Sequence, residues 1–211
     1  MLCIKYWRRL NFDNMGYLEE NGIFTSLSED IIAGAKDFSC GHPDLDDFFH
    51  NDCIAYSKTL FGKSYCFCSK DNRNDIICAF TVSNASIFTN RLPNSRKRKI
   101  GRVIPFEKRD LIYPAVLIGR LGTNCKYQHL HIGTELMDFI KAWFTEPHNK
   151  TGCRYLVVDA YNTDIPINYY LKNGFDFMFS SEEQEKVYRN IQDDEPLKTR
   201  LMFFDLIRII E

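Results

Sequence analysis

The stretch from Ala115 to Met137 carries the residue pattern best suited to binding an anion. An apolar run typical of a buried strand is followed by a short polar turn and then by apolar residues at helical spacing. The first backbone N–H groups of a helix have no partners within it, and the helix dipole favours negative charge at that end. The sequence therefore predicts an anion site at the start of this helix.

The cysteines and histidines do not have the spacing of a metal site. The chain has 8 cysteines and 5 histidines. The close pairs among them have one intervening residue rather than the two to four of a zinc knuckle. These pairs are Cys40 with His42, Cys66 with Cys68, and His129 with His131. Two cysteines in such a pair on a strand point to the same face, as core residues do. We therefore expect packed free thiols in a reducing compartment and no bound metal.

Composition and charge indicate a globular protein of the cytoplasm. The 211 residues are 45% hydrophobic and 26% charged, which suits one sizeable core. The formal net charge of −1 gives no overall attraction for a polyanion. No apolar leader follows the early basic residues Lys5, Arg8 and Arg9, and no apolar run reaches the roughly 18 residues of a membrane span. We expect a cytoplasmic protein with no membrane contact.

One local block of positive charge lies in a long connection between residues 90 and 110. It is formed by Arg96, Lys97, Arg98 and Lys99, and Arg102 follows. Such a run is usually a solvated, mobile loop. It can also be a phosphate-binding arm for nucleic acid. Both interpretations stay open on the sequence alone.

Hydrophobic periodicity predicts an α/β protein with a mixed sheet and helices on both of its faces. Strands are expected over 23–27, 64–69, 76–87, 113–122, 155–160, 175–179 and 201–207. Helices are expected from Pro43, from Ile132 and over 165–173, with an exposed charged loop or helix over 182–198. Gly174 occupies the position of a left-handed helix C-terminus. The basic connection lies inside the strand order, so we expect a single domain over 22–211. An extension over 1–21 precedes it, and the sequence does not decide whether that extension is ordered.

Two segments resemble the motifs of the GNAT superfamily of acyl-CoA N-acetyltransferases. The first, Gln128-His129-Leu130-His131-Ile132-Gly133-Thr134, resembles the pattern of Arg or Gln, two residues, Gly, one residue, and Gly or Ala. The second, Asn168–Phe175, resembles an aromatic-Tyr pair followed by three residues and Gly-Phe. The strand and Asn162 that precede the second segment also fit. The resemblance covers about Ala115 to Phe179.

A looser resemblance points to one branch of that superfamily. The segments Phe38–Gly41, Leu45–Phe49 and Ile118–Gly122 resemble the branch that contains the toxins of bacterial toxin–antitoxin pairs. Those toxins acetylate the amino group of aminoacyl-tRNA. The resemblance therefore implies tRNA and an antitoxin protein as partners.

The resemblance implies a GNAT-like acyl-CoA N-acyltransferase fold with acetyl-CoA as cosubstrate and a primary amine as acceptor. It implies that the backbone from Gln128 to Thr134 binds the pyrophosphate and that the end of the preceding strand binds the pantetheine arm. It also implies that Tyr170 is the general acid for the leaving thiolate, while a backbone amide stabilises the oxyanion. The implied site residues are Leu121, Gly122, Thr123, Gln128, His129, Leu130, His131, Ile132, Gly133, Thr134, Asn162 and Tyr170.

The chain departs from the first motif at His131, which stands where the family has its first loop glycine. Glycine lets the backbone approach a pyrophosphate with no side chain in the way. His131 is tolerated if its φ is helical and its ring points outward, where it adds a cation near phosphate. Otherwise the chain is a GNAT-like binding domain with weakened or lost acyl-CoA binding and no activity.

The general base and the oligomeric state are less well defined by the sequence. Asp159 is a candidate base, although a polar residue at a strand end is commonly structural. The α-amine of an aminoacyl ester needs little help from a base, which together with the basic block favours tRNA as the partner. Exposed strands at a sheet edge favour a homodimer.

Overall fold

The computed structural model describes residues 16–35, 37–101, 112–149 and 151–210. These residues form a mixed α/β fold on one seven-stranded sheet. The strands are β1 Gly22–Ser26, β2 Lys63–Ser69, β3 Ile76–Phe88, β4 Ile112–Thr123, β5 Tyr155–Tyr161, β6 Asp176–Phe177 and β7 Thr199–Asp205. Their order in the sheet is β1-β2-β3-β4-β5-β7-β6. The pairs β1/β2, β2/β3, β5/β7 and β6/β7 are antiparallel.

The helices agree with the apolar periodicity in most places. They are α1 Tyr17–Asn21, α2 Glu29–Gly34, α3 Pro43–Asp47, α4 Cys53–Lys58, α5 Asn94–Ile100, α6 Ile132–Thr145, α7 Asp164–Lys172, α8 Glu182–Arg189 and α9 Ile207–Ile210. A π-helical turn over Phe48–Asp52 joins α3 to α4. Within the described residues, no helix combines the length and the apolar character needed to cross a membrane. The predicted strands and helices are confirmed, with two exceptions. β6 is much shorter than the predicted strand, and β7 ends at Asp205, so that Ile207 begins α9 and does not end a strand.

The chain divides into two compact units, which we describe separately. Unit 1 consists of Met1–Ser83 with Ile118–Lys150, and unit 2 consists of Asn84–Leu117 with Thr151–Glu211. The long strands β3 and β4 each contribute residues to both units.

In unit 1 both faces of the sheet are covered. Successive residues of a strand point to opposite faces, so neighbouring residues pack into different clusters. Phe67 of β2 contacts Phe139 of α6, with ring centroids 4.9 Å apart. The neighbouring Cys66 and Cys68 pack into a different cluster, which includes residues of α2, of α4 and of the π-helical turn. This placement confirms that the two cysteines are core residues. Seven of the eight cysteines lie within the described residues and are free. No group of three or more His, Cys, Asp or Glu side chains there is arranged to hold a metal ion.

The helix α1 is anchored on unit 1. The carboxylate of Glu135 in α6 accepts hydrogen bonds from the backbone N–H groups of Tyr17 and Leu18, at 2.8 and 2.7 Å. Leu18 is fully buried. The last residues of the predicted N-terminal extension are therefore packed. Its first 15 residues lie outside the described ranges.

In unit 2 the basic run lies on a helix, α5, where the sequence suggested a mobile loop or an arm. Arginine and lysine have good helix propensity, and Pro93 directly precedes the helix. Ile100 anchors the helix because it is 1% exposed and its carbonyl accepts a 2.5 Å hydrogen bond from the Tyr155 hydroxyl. Arg102 lies outside the described residues.

The segment predicted to be an exposed charged loop or helix contains a buried carboxylate. Glu185 of α8 is fully buried and accepts hydrogen bonds from Arg189, from Arg200 and from the backbone N–H of Leu201. Glu185 therefore ties α8 to β7. The prediction of exposure is wrong at Glu185 because the partners that permit its burial come partly from a distant strand.

Candidate active site

Unit 1 holds most of the implied cosubstrate-binding residues at the end of β4 and the start of α6. Gly122 is buried in β4, and a Cβ atom added there would lie 2.9 Å from the Cβ of Cys40 and 3.0 Å from its Sγ. Glycine is therefore what lets the segment around Cys40 lie against β4. Burial, followed by the nearby Asp46, raises the pKa of the Cys40 thiol to about 12. Cys40 is a packing residue and not a reactive thiolate.

The side chain of Gln128 holds the turn between β4 and α6 in place. Its Nε2 donates hydrogen bonds to the carbonyl oxygens of Cys40 and Thr123, at 3.2 and 3.5 Å. The Gln128 amide is thus used to fasten the turn to the strand end. The backbone N–H of Gln128 is also engaged, because it donates to the carbonyl of Cys125 at 3.4 Å. Gln128 therefore shapes the turn and offers no free donor to an anion.

The backbone at His131 is left-handed, with φ 59° and ψ 14°. The helical φ expected for a tolerated histidine is therefore absent. His129 also has a positive φ, of 70°. The left-handed region is where glycine is favoured, so the geometry explains why the motif has glycine at this position. Both histidines are exposed.

Several backbone donors at the start of α6 are unpaired. His131 is the N-cap residue, and its carbonyl accepts hydrogen bonds from the N–H groups of Thr134 and Glu135. Within the described ranges, the N–H groups of His129, Leu130, His131 and Ile132 make no hydrogen bond. α6 runs for 14 residues and supplies a full helix dipole behind these donors. The donors fit a phosphate or pyrophosphate group.

Unit 2 carries Tyr170, and the Gly-Phe part of the second motif fixes its position. The N–H of Phe175 donates to the carbonyl of Tyr170 at 3.0 Å, and the N–H of Gly174 donates to that of Leu171 at 2.9 Å. Gly174 has φ +80°, which confirms the predicted left-handed residue. This hydrogen-bond pattern is a Schellman motif, in which the residue after the glycine contacts the last turn. The rings of Phe175 and Tyr170 are accordingly 5.3 Å apart.

The Tyr170 hydroxyl is protonated at neutral pH. Burial raises the pKa of Tyr170 well above its ordinary value. Tyr169 packs beside it with ring centroids 5.0 Å apart. A protonated phenol can donate a proton or a hydrogen bond to a leaving group.

Asn162 follows β5, and its side-chain N–H groups are engaged by hydrogen bonds within unit 2. Its Nδ2 donates to Glu182 Oε1 at 3.0 Å and to the carbonyl of Leu197 at 2.9 Å. The side-chain oxygen is therefore the atom of Asn162 left for a ligand. The sequence carried no local signal for Glu182, because 20 residues separate it from Asn162.

Asp159 is held in an ion pair. The guanidinium of Arg189 donates to both carboxylate oxygens, at 2.6 and 3.2 Å. The same guanidinium contacts the buried Glu185 at 2.7 Å. Asp159 therefore has a structural partner and is a poor candidate for a base.

The four basic residues of α5 differ in their partners. Arg96 donates to the Ser180 hydroxyl at 3.0 Å, and Lys99 pairs with Asp176 at 2.6 Å. Lys97 and Arg98 have no side-chain partner in the described part of the chain. Lys97 and Arg98 are thus the two charges of α5 that are available to a phosphate.

Comparisons with known proteins identify the fold. No protein-family model matches the sequence, and no curated protein matches it. The structure of a tyrosine-to-phenylalanine mutant of KacT matches with a TM-score of 0.62 at 16% identity, covering 90% of this chain and 98% of that one. AtaT complexed with acetyl-methionyl-tRNAfMet matches with a TM-score of 0.61 at 16% identity, over 90% and 97%. AtaTR bound with AcCoA matches with a TM-score of 0.57 at 15% identity, also over 90% and 97%. The chain therefore has the fold of these structures, and the mixed α/β fold predicted from its sequence is confirmed.

Proposed function

We propose that this protein transfers the acetyl group of acetyl-CoA to a primary amine, and that this amine is the amino group of an aminoacyl-tRNA. The observation that carries the proposal is the run of unpaired N–H groups from His129 to Ile132 at the start of α6. The fold supports the proposal because similar structures include AtaT with acetyl-methionyl-tRNAfMet and AtaTR with AcCoA.

The residues of unit 1 fit the binding of the cosubstrate. The amides of 129–132 would hold the pyrophosphate, and the backbone of Leu121, Gly122 and Thr123 would hold the pantetheine arm as an added strand does. Gly133 and Thr134 complete the first turn of α6. In unit 2 the side-chain oxygen of Asn162 is the atom that remains for a ligand.

The chemistry that remains for the protein is proton transfer and charge stabilisation. Acetyl-CoA supplies an activated thioester, whose carbonyl carbon is attacked by a neutral amine. The Tyr170 hydroxyl donates its proton to the departing thiolate. A backbone N–H at the end of β4 stabilises the negative charge that develops on the carbonyl oxygen. The amine passes its proton to water, and an α-amine of low pKa needs no carboxylate base.

The partners follow from charge and from the similar structures. Lys97 and Arg98 are placed on α5 where they can bind tRNA phosphates. The AtaT mutant toxin has been solved bound to the C-terminus of the antitoxin AtaR. We propose a small antitoxin protein as a second partner of this chain, and a homodimer as its assembly.

Two measurements test the activity. Calorimetry with acetyl-CoA should show saturable binding, and labelled acetyl groups should appear on aminoacyl-tRNA. Tyr170→Phe should abolish most turnover with little change in acetyl-CoA affinity, while the matched variant Tyr169→Phe should retain turnover. Unchanged turnover in Tyr170→Phe would show that the acid assignment is wrong.

The nucleic-acid part of the proposal has its own test. A double variant, Lys97→Ala with Arg98→Ala, should bind tRNA more weakly and with a shallower salt dependence. It should acetylate a small amine as fast as the wild type does. An unchanged tRNA affinity would remove α5 from the interface.

The left-handed backbone of His131 favours a second candidate function, that of a binding domain without activity. A side chain at this position stands where the motif has none. In that case acetyl-CoA would give no heat of binding at millimolar concentration. Recovery of binding in His131→Gly would identify His131 as the cause.

A further inference from the structure

An arginine and three aromatic rings form a continuous series on unit 1. The guanidinium of Arg120 lies 5.1 Å from the ring centroid of Phe48. The rings of Phe48 and Tyr56 are 5.7 Å apart, and those of Tyr56 and Phe61 are stacked at 5.9 Å. We call Phe48, Tyr56 and Phe61 the aromatic ladder. It begins at β4 and ends at the turn between α4 and β2.

The outer end of the ladder is exposed to an unusual degree. Phe61 is 69% exposed and its neighbour Leu60 is 85% exposed. Leu60 has φ +64°, a left-handed conformation that is unfavourable for a leucine. A Cβ atom added at Gly62 would lie 2.5 Å from the Tyr56 ring and 2.8 Å from the carbonyl of Val82, so the turn is packed tightly against its neighbours. A tightly held turn thus presents two large apolar side chains to solvent despite local strain, which points to a ligand.

The charges near the ladder favour an anion at its inner end. Arg120 donates to the carbonyl of Gly119 at 2.8 Å, and no carboxylate pairs with it in the part of the chain that the structure describes. Lys63, at the start of β2, is also exposed and has no acidic partner there. Asp44, Asp46, Asp47 and Asp52 lie in the helical segments that carry or adjoin Phe48. The group that favours an anion is therefore the Arg120 guanidinium, which lies on the Phe48 ring.

The ladder begins next to the strand end that we assign to the cosubstrate. Arg120 directly precedes Leu121, and in a strand it shares a face with Gly122. The structure agrees with this, because both residues face the π-helical turn. Arg120 lies over the Phe48 ring, and a Cβ atom added at Gly122 would lie 3.5 Å from the Phe49 ring. An acceptor that reached this end of β4 on that face would meet the Arg120 guanidinium first.

We propose that Arg120 and the aromatic ladder bind the unpaired acceptor end of the aminoacyl-tRNA. The Arg120 guanidinium binds a phosphate, and Phe61 with Leu60 stacks an unpaired base. Aromatic rings interleaved with cations are how proteins bind single-stranded nucleic acid without sequence preference, because every base has a π-face. The choice of tRNA as the source of this strand rests on the proposed function.

The test uses the full-length protein and a fluorescein-labelled single-stranded RNA oligonucleotide in an anisotropy titration. Phe61→Ala should weaken binding about 5-fold to 150-fold, the range for removal of one base-stacking ring. Arg120→Met should reduce the slope of log affinity against log salt by about 0.7. Val187→Ala is the matched control, since Val187 is 77% exposed but belongs neither to the ladder nor to α5, and it should bind as the wild type does.

Calorimetry with acetyl-CoA separates this inference from the proposed function. If acetyl-CoA binds and aminoacyl-tRNA is acetylated, but Phe61→Ala and Arg120→Met bind RNA normally, the ladder is not the subsite. If acetyl-CoA does not bind, the proposed function fails, while the RNA titrations still decide the ladder. No RNA binding by the wild type overturns the inference. Loss of a dimer in Phe61→Ala by sedimentation, at unchanged RNA affinity, would make the patch a self-association surface and overturn it as well.

Discussion

The substitution His131→Gly should stabilise the protein, because His131 has a left-handed backbone. A non-glycine residue in that region costs roughly 1–2 kcal/mol. Glycine reduces this gain by roughly 0.5–1 kcal/mol, because the unfolded chain has more conformational freedom to lose when it folds. The hydrogen bonds that the His131 carbonyl accepts from Thr134 and Glu135 survive the change, because they use only the backbone. The net gain is about 0.5–1 kcal/mol, or about 1–4 °C in Tm for a chain of this size.

Thermal unfolding of three proteins isolates the backbone effect. His131→Ala removes the imidazole but keeps the Cβ atom that makes the left-handed conformation unfavourable, so it should not be stabilised. Asn190→Gly changes another left-handed residue, with φ 56°, far from the loop in sequence and in unit 2. We expect a smaller gain there because asparagine tolerates this conformation. A Tm for His131→Gly no higher than that for His131→Ala would refute the reasoning.

Acetyl-CoA affinity in the same variants tests what the loop does. The N–H groups from His129 to Ile132 are unchanged in His131→Gly, and no side chain then stands beside them. The dissociation constant should therefore stay the same or fall. A loss of more than tenfold in both His131→Gly and His131→Ala would mean that the imidazole binds the phosphate, and would contradict a site made of backbone amides.

Three further predictions follow from groups that are partly or fully buried. Glu185→Ala should cost about 3–5 kcal/mol of unfolding free energy in urea, because it leaves the buried Arg200 without its carboxylate, whereas the exposed Glu183→Ala should cost less than about 1 kcal/mol, the value of one charge at a helix N-terminus. Glu135→Ala removes both acceptors of the α1 N–H groups, each a bond to a charged group worth about 1.5–3 kcal/mol, so amide hydrogen exchange at Leu18 should accelerate. Because burial raises the pKa of Tyr170, its proton is retained at every pH below the ordinary tyrosine value of about 10. The wild-type rate should therefore not fall between about pH 7 and 9.5, and a fall there would argue against Tyr170 as the acid.

The elements that the sequence predicted well are those whose cause is local. Runs of apolar and β-forming residues located the strands, and Gly174 located the end of α7 because only a left-handed residue completes its Schellman motif. The second motif is equally local, since the five residues from Tyr170 to Gly174 and the following Phe175 form one hydrogen-bonded cap. Such features depend on neighbours in the chain, so a single sequence carries them.

The elements that the sequence missed depend on distant partners. The basic run became a helix because a single residue, Ile100, is buried and bonded to Tyr155. A helix that buries a single residue has no periodic apolar pattern from which the sequence could predict it. Glu185 was expected to be exposed, and its burial depends on Arg200 and Leu201 of β7. The left-handed backbone of His131 could have been predicted from the motif, because a position that favours glycine often has a positive φ.

The close approach of Cys40 to β4 has an evolutionary consequence. A methyl group at position 122 would lie 2.9 Å from the Cβ and 3.0 Å from the Sγ of Cys40, too close for both side chains to fit. Residues 40 and 122 share this volume, so a larger residue at 122 requires a smaller residue at 40. Descendants of this chain that gain alanine at 122 should carry glycine at 40, because any other residue there keeps the Cβ atom that lies 2.9 Å away. The double substitution Gly122→Ala with Cys40→Gly should accordingly fold better than Gly122→Ala by itself.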